Sequence, residues 1–248
     1  SSDLDIFQVV LSQRFKVKNS IDPFEVYRKL RRSNPSPYMF YIDFEDFKLA
    51  GASPESLVKV KGNVVMTNPI AGSRPRGKTP KEDELLKEEL LNDEKELAEH
   101  LMLVDLGRND IGKISEFGSV KLDKFMEVEA FSHIMHICSK VSGTLKNELN
   151  CFDALKSYLP VGTVSGAPKI RAMEIIDELE NTRRGIYSGA IGYFSYGGDM
   201  DTCIAIRTIV FKDDFAYVQG GAGIVYDSVP ETEYTETLNK TMALMEVL

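Results

Sequence analysis

Gly72-Ser73-Arg74-Pro75-Arg76-Gly77-Lys78-Thr79 is the stretch on which the fold turns, because it supports two incompatible readings. Letter for letter it satisfies the phosphate-cradling pattern G-x-x-x-x-G-K-[ST]. It follows a strand-like run, Asn63-Val64-Val65-Met66-Thr67, and precedes a helix start at Thr79-Pro80. Downstream, Leu101-Met102-Leu103-Val104-Asp105 resembles an apolar strand ending in a magnesium-binding aspartate. Together these suggest a nucleotide hydrolase, and backbone chemistry opposes it. A phosphate loop aims successive backbone N–H groups at phosphate oxygens. Pro75 removes one such donor, fixes its own φ and biases Arg74 away from helical geometry. The Asp105 run lies in an acidic segment with no Gly or Pro between Glu82 and Leu106. There Leu85, Leu86, Leu90, Leu97, Leu101 and Val104 recur at helical spacing, which predicts helix rather than core strand. The chain also lacks the regular strand–helix alternation of a parallel nucleotide-binding sheet.

Working outward, helices are expected at Leu4–Gln13 and at Asp22–Arg32, where Asp22 caps and Pro23 takes the first helical position. Tyr38–Asp43 and Lys48–Ala52 read as strands, and Leu57–Val60 with Val64–Thr67 as a hairpin around Lys61-Gly62-Asn63. A helix is predicted from Pro80 to Leu106, broken near Asn92-Asp93, followed by strands at Val120–Lys124 and Val128–Ser142. Pro168–Glu180 reads as an amphipathic helix with Ile170, Met173, Ile176 and Leu179 on one stripe. A meander follows, with Ala190–Tyr196, Thr202–Phe211 and Ala216–Gln219 turning at Gly197-Gly198 and Asp213-Asp214. Pro230 then opens a helix to Leu248. The expectation is an α+β fold of antiparallel β-sheets flanked by helices, one domain over residues 1–248.

Composition narrows the function classes. Hydrophobic content of 43% and charged content of 27% are ordinary for a globular protein. A net charge of −8 argues against nucleic acid or an anionic membrane as partner, since phosphate surfaces select basic faces. No apolar run is long enough to span a bilayer, and Ser1-Ser2-Asp3 opens no signal-peptide pattern. Cys138, Cys151 and Cys203 have no Cys-x-x-Cys spacing, which suits a reducing cytoplasm.

Several residues carry chemistry. Glu96 and Glu99 lie three apart on one predicted helix, and Glu233 and Glu236 repeat that spacing on another. Such pairs are ordinarily solvated faces; brought together, two of them supply oxygen donors for a hard cation. Arg207 sits among Cys203-Ile204-Ala205-Ile206 and Thr208-Ile209-Val210, where a charge needs a partner, an anion or an edge position. Gly221 and Gly223 permit close backbone approach, and Thr163 lies in a loop leading into the helix at Pro168, where amides favour an anion. The three histidines are His100, His133 and His136.

Four motifs in order carry a family resemblance. Asn68-Pro69-Ile70-Ala71-Gly72-Ser73-Arg74-Pro75-Arg76-Gly77, then Glu96-Leu97-Ala98-Glu99-His100-Leu101-Met102-Leu103-Val104-Asp105-Leu106-Gly107-Arg108-Asn109-Asp110, resemble the chorismate-utilising enzymes. Pro160-Val161-Gly162-Thr163-Val164-Ser165-Gly166-Ala167-Pro168-Lys169 and Gln219-Gly220-Gly221-Ala222-Gly223-Ile224-Val225 continue it. The resemblance implies Mg²⁺ ligated by Glu99 and Glu236, with Glu96 and Glu233 supporting through water. It implies that Arg207 and Tyr187 hold the enolpyruvyl carboxylate with amides around Gly221 and Gly223, and that Thr163 contacts substrate. His136 matches the active-site histidine, and Glu55 the acid that protonates the departing ring hydroxyl.

Two positions discriminate within that family. Isochorismate and salicylate synthases carry Lys where Gln8 stands, and aminodeoxychorismate synthases typically carry Lys in place of Ala71. Neither an amide nor a methyl group activates water or attacks the ring, so ammonia is the implied nucleophile. The implied activity is anthranilate synthesis for tryptophan, with ammonia from a separate glutamine amidotransferase subunit. Aminodeoxychorismate synthesis, or chorismate binding without turnover, is the alternative. The large subunits of this family are about twice as long, and their N-terminal half is not among these 248 residues. Pro37, Tyr38, Met39 and Phe40 resemble part of a tryptophan feedback site completed in that half.

Overall fold

The computed structural model describes residues 5–131 and 134–248; Leu4 and His133 lie outside the described residues. The chain runs through β1 (Gln8–Lys18), α1 (Pro23–Ser33), β2 (Tyr38–Phe44), β3 (Phe47–Ser53), β4 (Ser56–Lys61), β5 (Val64–Thr67) and β6 (Ile70–Pro75). Then come α2 (Pro80–Leu91), α3 (Glu94–Ile114), β7 (Lys121–Ala130), β8 (Ile134–Thr144), α4 (Cys151–Tyr158) and a two-residue β9 (Gly166–Ala167). The last elements are α5 (Lys169–Leu179), β10 (Ala190–Phe194), β11 (Met200–Ile204), β12 (Thr208–Lys212), β13 (Phe215–Ile224) and α6 (Pro230–Met245). The fold is α+β with antiparallel pairing, as the sequence implies. The single expected domain comprises two compact units. One takes the described residues up to Pro54 with Pro160–Ile191 and Cys203–Leu248; the other takes Glu55–Leu159 and Gly192–Thr202.

In the first unit the sheet order is β2-β3-β12-β13-β1-β9. Val26 and Leu30 of α1, Ala50 and Ala52 of β3, Ile209 of β12, Val218 of β13 and Leu244 of α6 form one fully buried cluster. Burying each large aliphatic side chain contributes roughly 1.5–3 kcal/mol, so this cluster is a substantial stabilising term for the unit. α1 begins where the sequence implies: the Asp22 carboxylate accepts from the Phe24 and Glu25 amides. In the second unit the order is β10-β11-β4-β5-β8-β6, with β7 also on β8. Leu90, Met135 and Ile137 form a buried cluster against Leu86 and Leu97. The expected hairpin β4–β5 forms around Gly62, and the helix break falls at Asn92-Asp93. There the Asp93 side chain caps α3 by accepting from the Lys95 and Glu96 amides.

Four local expectations are overturned. Leu4–Gln13 is not a helix: Gln8 onward belongs to β1, paired with β13 along its length and with β9 at Gln8 and Val9. Two-sided pairing outweighs local propensity. The strand expected over Val128–Ser142 is two strands, β7 ending at Ala130 and β8 starting at Ile134, and β7 begins early enough to absorb Val120–Lys124 except its first residue. Thr202–Phe211 likewise splits, because Arg207 adopts φ +50 between β11 and β12. On α5 the buried positions are Ala172 and Ile176, packed with Val9, whereas Ile170 and Leu179 are exposed. Threefold spacing drifts off a 3.6-residue face over three turns.

Candidate active site

The predicted residues fall into two groups, one in each unit. In the second unit, β6 is an edge strand with a bulge between Ala71 and Ser73, where Gly72 takes φ +70. A Cβ at Gly72 would press on Glu96 Oε2 at 3.1 Å and on Ile137 and Leu90 methyls at 3.2 Å. The bulge therefore lets the β6 backbone lie directly against a carboxylate of α3. On the opposite strand, His136 donates from Nδ1 to the Gly72 carbonyl at 2.9 Å. A carbonyl only accepts, so the neutral ring carries its proton on Nδ1 and leaves the Nε2 lone pair as acceptor. Burial pushes the His136 pKa below its ordinary value, with the Gly72 hydrogen bond opposing.

Glu96 is raised above the usual carboxylate range, first by burial, then by the Glu99 and Asp93 carboxylates, with Arg74 opposing. Arg74 stands 3.7 Å from Glu96 and binds Glu89 and Asp93 at 2.8 Å each. Glu55 lies half-buried in the connection between β3 and β4. His100 is fully buried, its Nε2 2.7 Å from Ser139 Oγ.

In the first unit, the β1–β13 register sets Ser12 opposite Gly221 and Val10 opposite Gly223. A Cβ on Gly221 would stand 2.7 Å from the Leu11 carbonyl and 2.8 Å from Tyr187 Oη; one on Gly223 would collide with Gln8 Nε2. Backbone contact thus demands glycine at 221, and a side chain at 223 would displace the Gln8 amide from β13. Gln8 is buried, at 5% exposure. Arg207 donates from Nη1 to the Lys240 carbonyl at 2.6 Å. Burial lowers the Arg207 pKa, and Tyr187 and Glu236 work against that. Lys240, which sequence reasoning passed over, pairs with Glu236 one turn away on α6 and donates to the Gly221 carbonyl at 3.2 Å. Its signal was the i,i+4 spacing from Glu236. Glu233 is buried on the same helix. Thr163 lies in a 3-10 turn, Gly162–Val164, with a buried Oγ1 that has no protein partner. An orphaned hydroxyl of this kind suits a contact to a ligand. Pro37 precedes β2; Tyr38, Met39 and Phe40 open it, Met39 on the core and the Phe40 ring over Gly51.

Among the described residues no group of three or more His, Cys, Asp or Glu side chains gathers as a ready-made metal site. The donor chemistry nonetheless fits a hard cation: the Glu99 carboxylate adds to the burial that raises the proton affinity of Glu96, a repulsion that a bound cation would relieve. No helix among the described residues is long and apolar enough to cross a membrane.

Residues 3–246 match the chorismate binding enzyme family, and the chain belongs to it. It is 59% identical over 246 residues to anthranilate synthase component 1 of Acetivibrio thermocellus, covering 99% of this chain and 50% of that protein. The namesake from Aquifex aeolicus (strain VF5) is 57% identical, with 98% and 49% covered. The crystal structure of anthranilate synthase component I from Streptococcus pneumoniae TIGR4 superposes with a TM-score of 0.90 at 58% identity, covering 97% of this chain and 53% of that one. The chain spans about half the length of the curated relatives it matches.

Proposed function

We propose that this chain carries the Mg²⁺-dependent amination of chorismate by ammonia, with elimination of pyruvate and water, to give anthranilate. The observation that carries the choice of nucleophile is the buried Gln8 amide closed against Gly223. A water-activating lysine occupies that position in the rival chemistry, and an amide is no base. Ala71 likewise offers no amine for covalent attack on the ring. Within the family these features single out direct attack by ammonia.

Arg207 and Tyr187 bind the enolpyruvyl carboxylate, with the Gly221 and Gly223 backbone alongside and the Thr163 hydroxyl as a further contact. Neutral His136, anchored by its Nδ1–H, offers Nε2 to orient the reacting centre. Glu55 gives its proton to the 4-hydroxyl, which leaves as water while the C2–N bond forms; loss of the C2 proton and cleavage of the C3–O bond then release pyruvate. Glu99 and Glu236, with Glu96 and Glu233 supporting through water, are the residues that would hold Mg²⁺, which would supply Lewis-acid stabilisation and anchor the ring carboxylate. Ammonia comes from a separate glutamine amidotransferase subunit. Cys138, Cys151 and Cys203 are all buried and none is in a disulfide, in keeping with a cytoplasmic setting and not with a glutaminase nucleophile.

The test is incubation with chorismate, ammonium and Mg²⁺ and no glutamine. Fluorescent anthranilate and pyruvate in equal amounts support the proposal. Aminodeoxychorismate or isochorismate as the main product on chromatography overturns the nucleophile assignment.

A further inference from the structure

We propose that the Arg184–Glu180 ion pair is a positioning device that holds the Tyr187–Ser188 turn against β1, so that the Tyr187 hydroxyl reaches Gly221. The two side chains are 14% and 8% exposed and lie 2.6 Å apart. Besides Glu180, the Arg184 guanidinium donates to two backbone carbonyls and one side-chain hydroxyl on three separate segments. Nη2 donates to the Val10 carbonyl of β1 at 2.6 Å, and Nη1 to the Val164 carbonyl, next to Thr163, and to Ser188 Oγ at 3.1 Å. Its Cζ lies 5.4 Å from the Tyr187 ring centroid. Glu180 Oε1 accepts from the Ser12 amide at 2.8 Å and from Ser12 Oγ at 2.7 Å, and Ser12 is the residue opposite Gly221. From the other side Arg14 donates to the carbonyls of Arg183 and Arg184 and to Gln219.

Ser188 carries the strain. It holds φ +71, a conformation an L-residue keeps only where its surroundings over-determine it. Its amide is fixed on the Ala205 carbonyl at 3.1 Å and its hydroxyl on Arg184. A buried ion pair is weak evidence for stability, because an apolar pair of similar volume does as well or better. What an apolar pair lacks is a planar fork that fixes β1, the Thr163 turn and the Tyr187 turn at once. The inference rests on the proposed function only for the identity of the ligand that Tyr187 meets.

The test uses the 248-residue chain labelled with 3-fluorotyrosine, its Tyr187 ¹⁹F resonance assigned by loss in Tyr187→Phe. Arg184→Lys keeps the charge on Glu180 but cannot span three carbonyl and hydroxyl acceptors. It is expected to shift and broaden the Tyr187 resonance and to weaken chorismate binding, read by calorimetry, about ten-fold. Ser188→Ala removes one arm alone and shifts the resonance less, in the same direction; it carries the test should Arg184→Lys fail to fold. A Tyr187 resonance coincident with wild type in both variants overturns the proposal. A moved resonance in a chain whose wild type binds no chorismate supports the positioning role and refutes the chorismate reading, so the two fail separately.

Discussion

His136 Nδ1 lies 2.9 Å from the carbonyl oxygen of Gly72, at the one residue of β6 where the strand bulges. Burial keeps this imidazole neutral below the ordinary histidine range. The rate of ammonia-dependent turnover, corrected for the NH₃/NH₄⁺ balance, is therefore expected to hold as pH falls through about 6.5 and to decline only further down. A pH–rate profile whose acid limb sits at or above the unperturbed value would remove neutral His136 from the mechanism.

His100 makes a stability prediction. Burial pushes its pKa from 6.5 down to about 4. Below 6.5 the unfolded chain takes up a proton that the folded chain refuses, so stability rises with pH in this window. The contribution is complete above the unfolded value and is lost as pH falls towards about 4, a total of about 3 kcal/mol. Thermal unfolding with EDTA present across that range should show it, and His100→Gln, which keeps a partner for Ser139, should flatten the curve.

Glu99→Gln and Glu236→Gln keep side-chain shape but remove charge at the residues proposed to hold Mg²⁺. Each should raise the Mg²⁺ concentration needed for half-maximal turnover and depress turnover itself, while exposed Glu88→Gln changes neither. Wild-type behaviour of Glu99→Gln at limiting Mg²⁺ would be incompatible with its assignment.

Arg207→Lys is not conservative at a largely desolvated position already tied to the Lys240 carbonyl. Losing a two-pronged hold on a carboxylate should cost roughly 2–5 kcal/mol of chorismate binding. Calorimetric affinity equal to wild type takes Arg207 out of the site.

Gln8→Lys places an amine where the amide now rests on Gly223. Burial disfavours the charged form of an amine there, so some isochorismate or salicylate should form at the expense of anthranilate. Chromatography showing anthranilate alone would mean that this position does not choose the nucleophile.

What was legible in the sequence was local. Asp22 before Pro23, the Asn92-Asp93 break and Gly62 between two β-branched runs are each read within a few residues, and each stands as expected. The deceptive nucleotide-binding pattern also yields to local chemistry, since Gly72–Pro75 is an edge strand, where proline is tolerated, and Asp105 is on α3. What failed depended on distant partners. Val9-Val10-Leu11 is apolar in either a helix or a strand, and only β13 and β9 decide; the alternation of exposed Arg14, Lys16 and Lys18 further on was the available clue. Nothing near Arg207 announces a left-handed residue between β11 and β12. For the candidate site, types and spacing named the carboxylates and glycines. The contact of Tyr187 with Gly221 and the entry of Lys240 required the β1–β13 register and α6.

That register has a consequence for synthesis. β1 finds both its neighbours, β9 and β13, only among residues made long after it. Pairings this remote in sequence form slowly, because all the residues between the two strands must be closed into one loop first. On the ribosome the edge of Val9, Val10 and Leu11 that β13 covers thus stays open until Phe215–Ile224 has cleared the exit tunnel. During that interval chaperone capture and self-association compete with native pairing, so slow translation of the residues between β1 and β13 lengthens the exposure of an apolar strand edge.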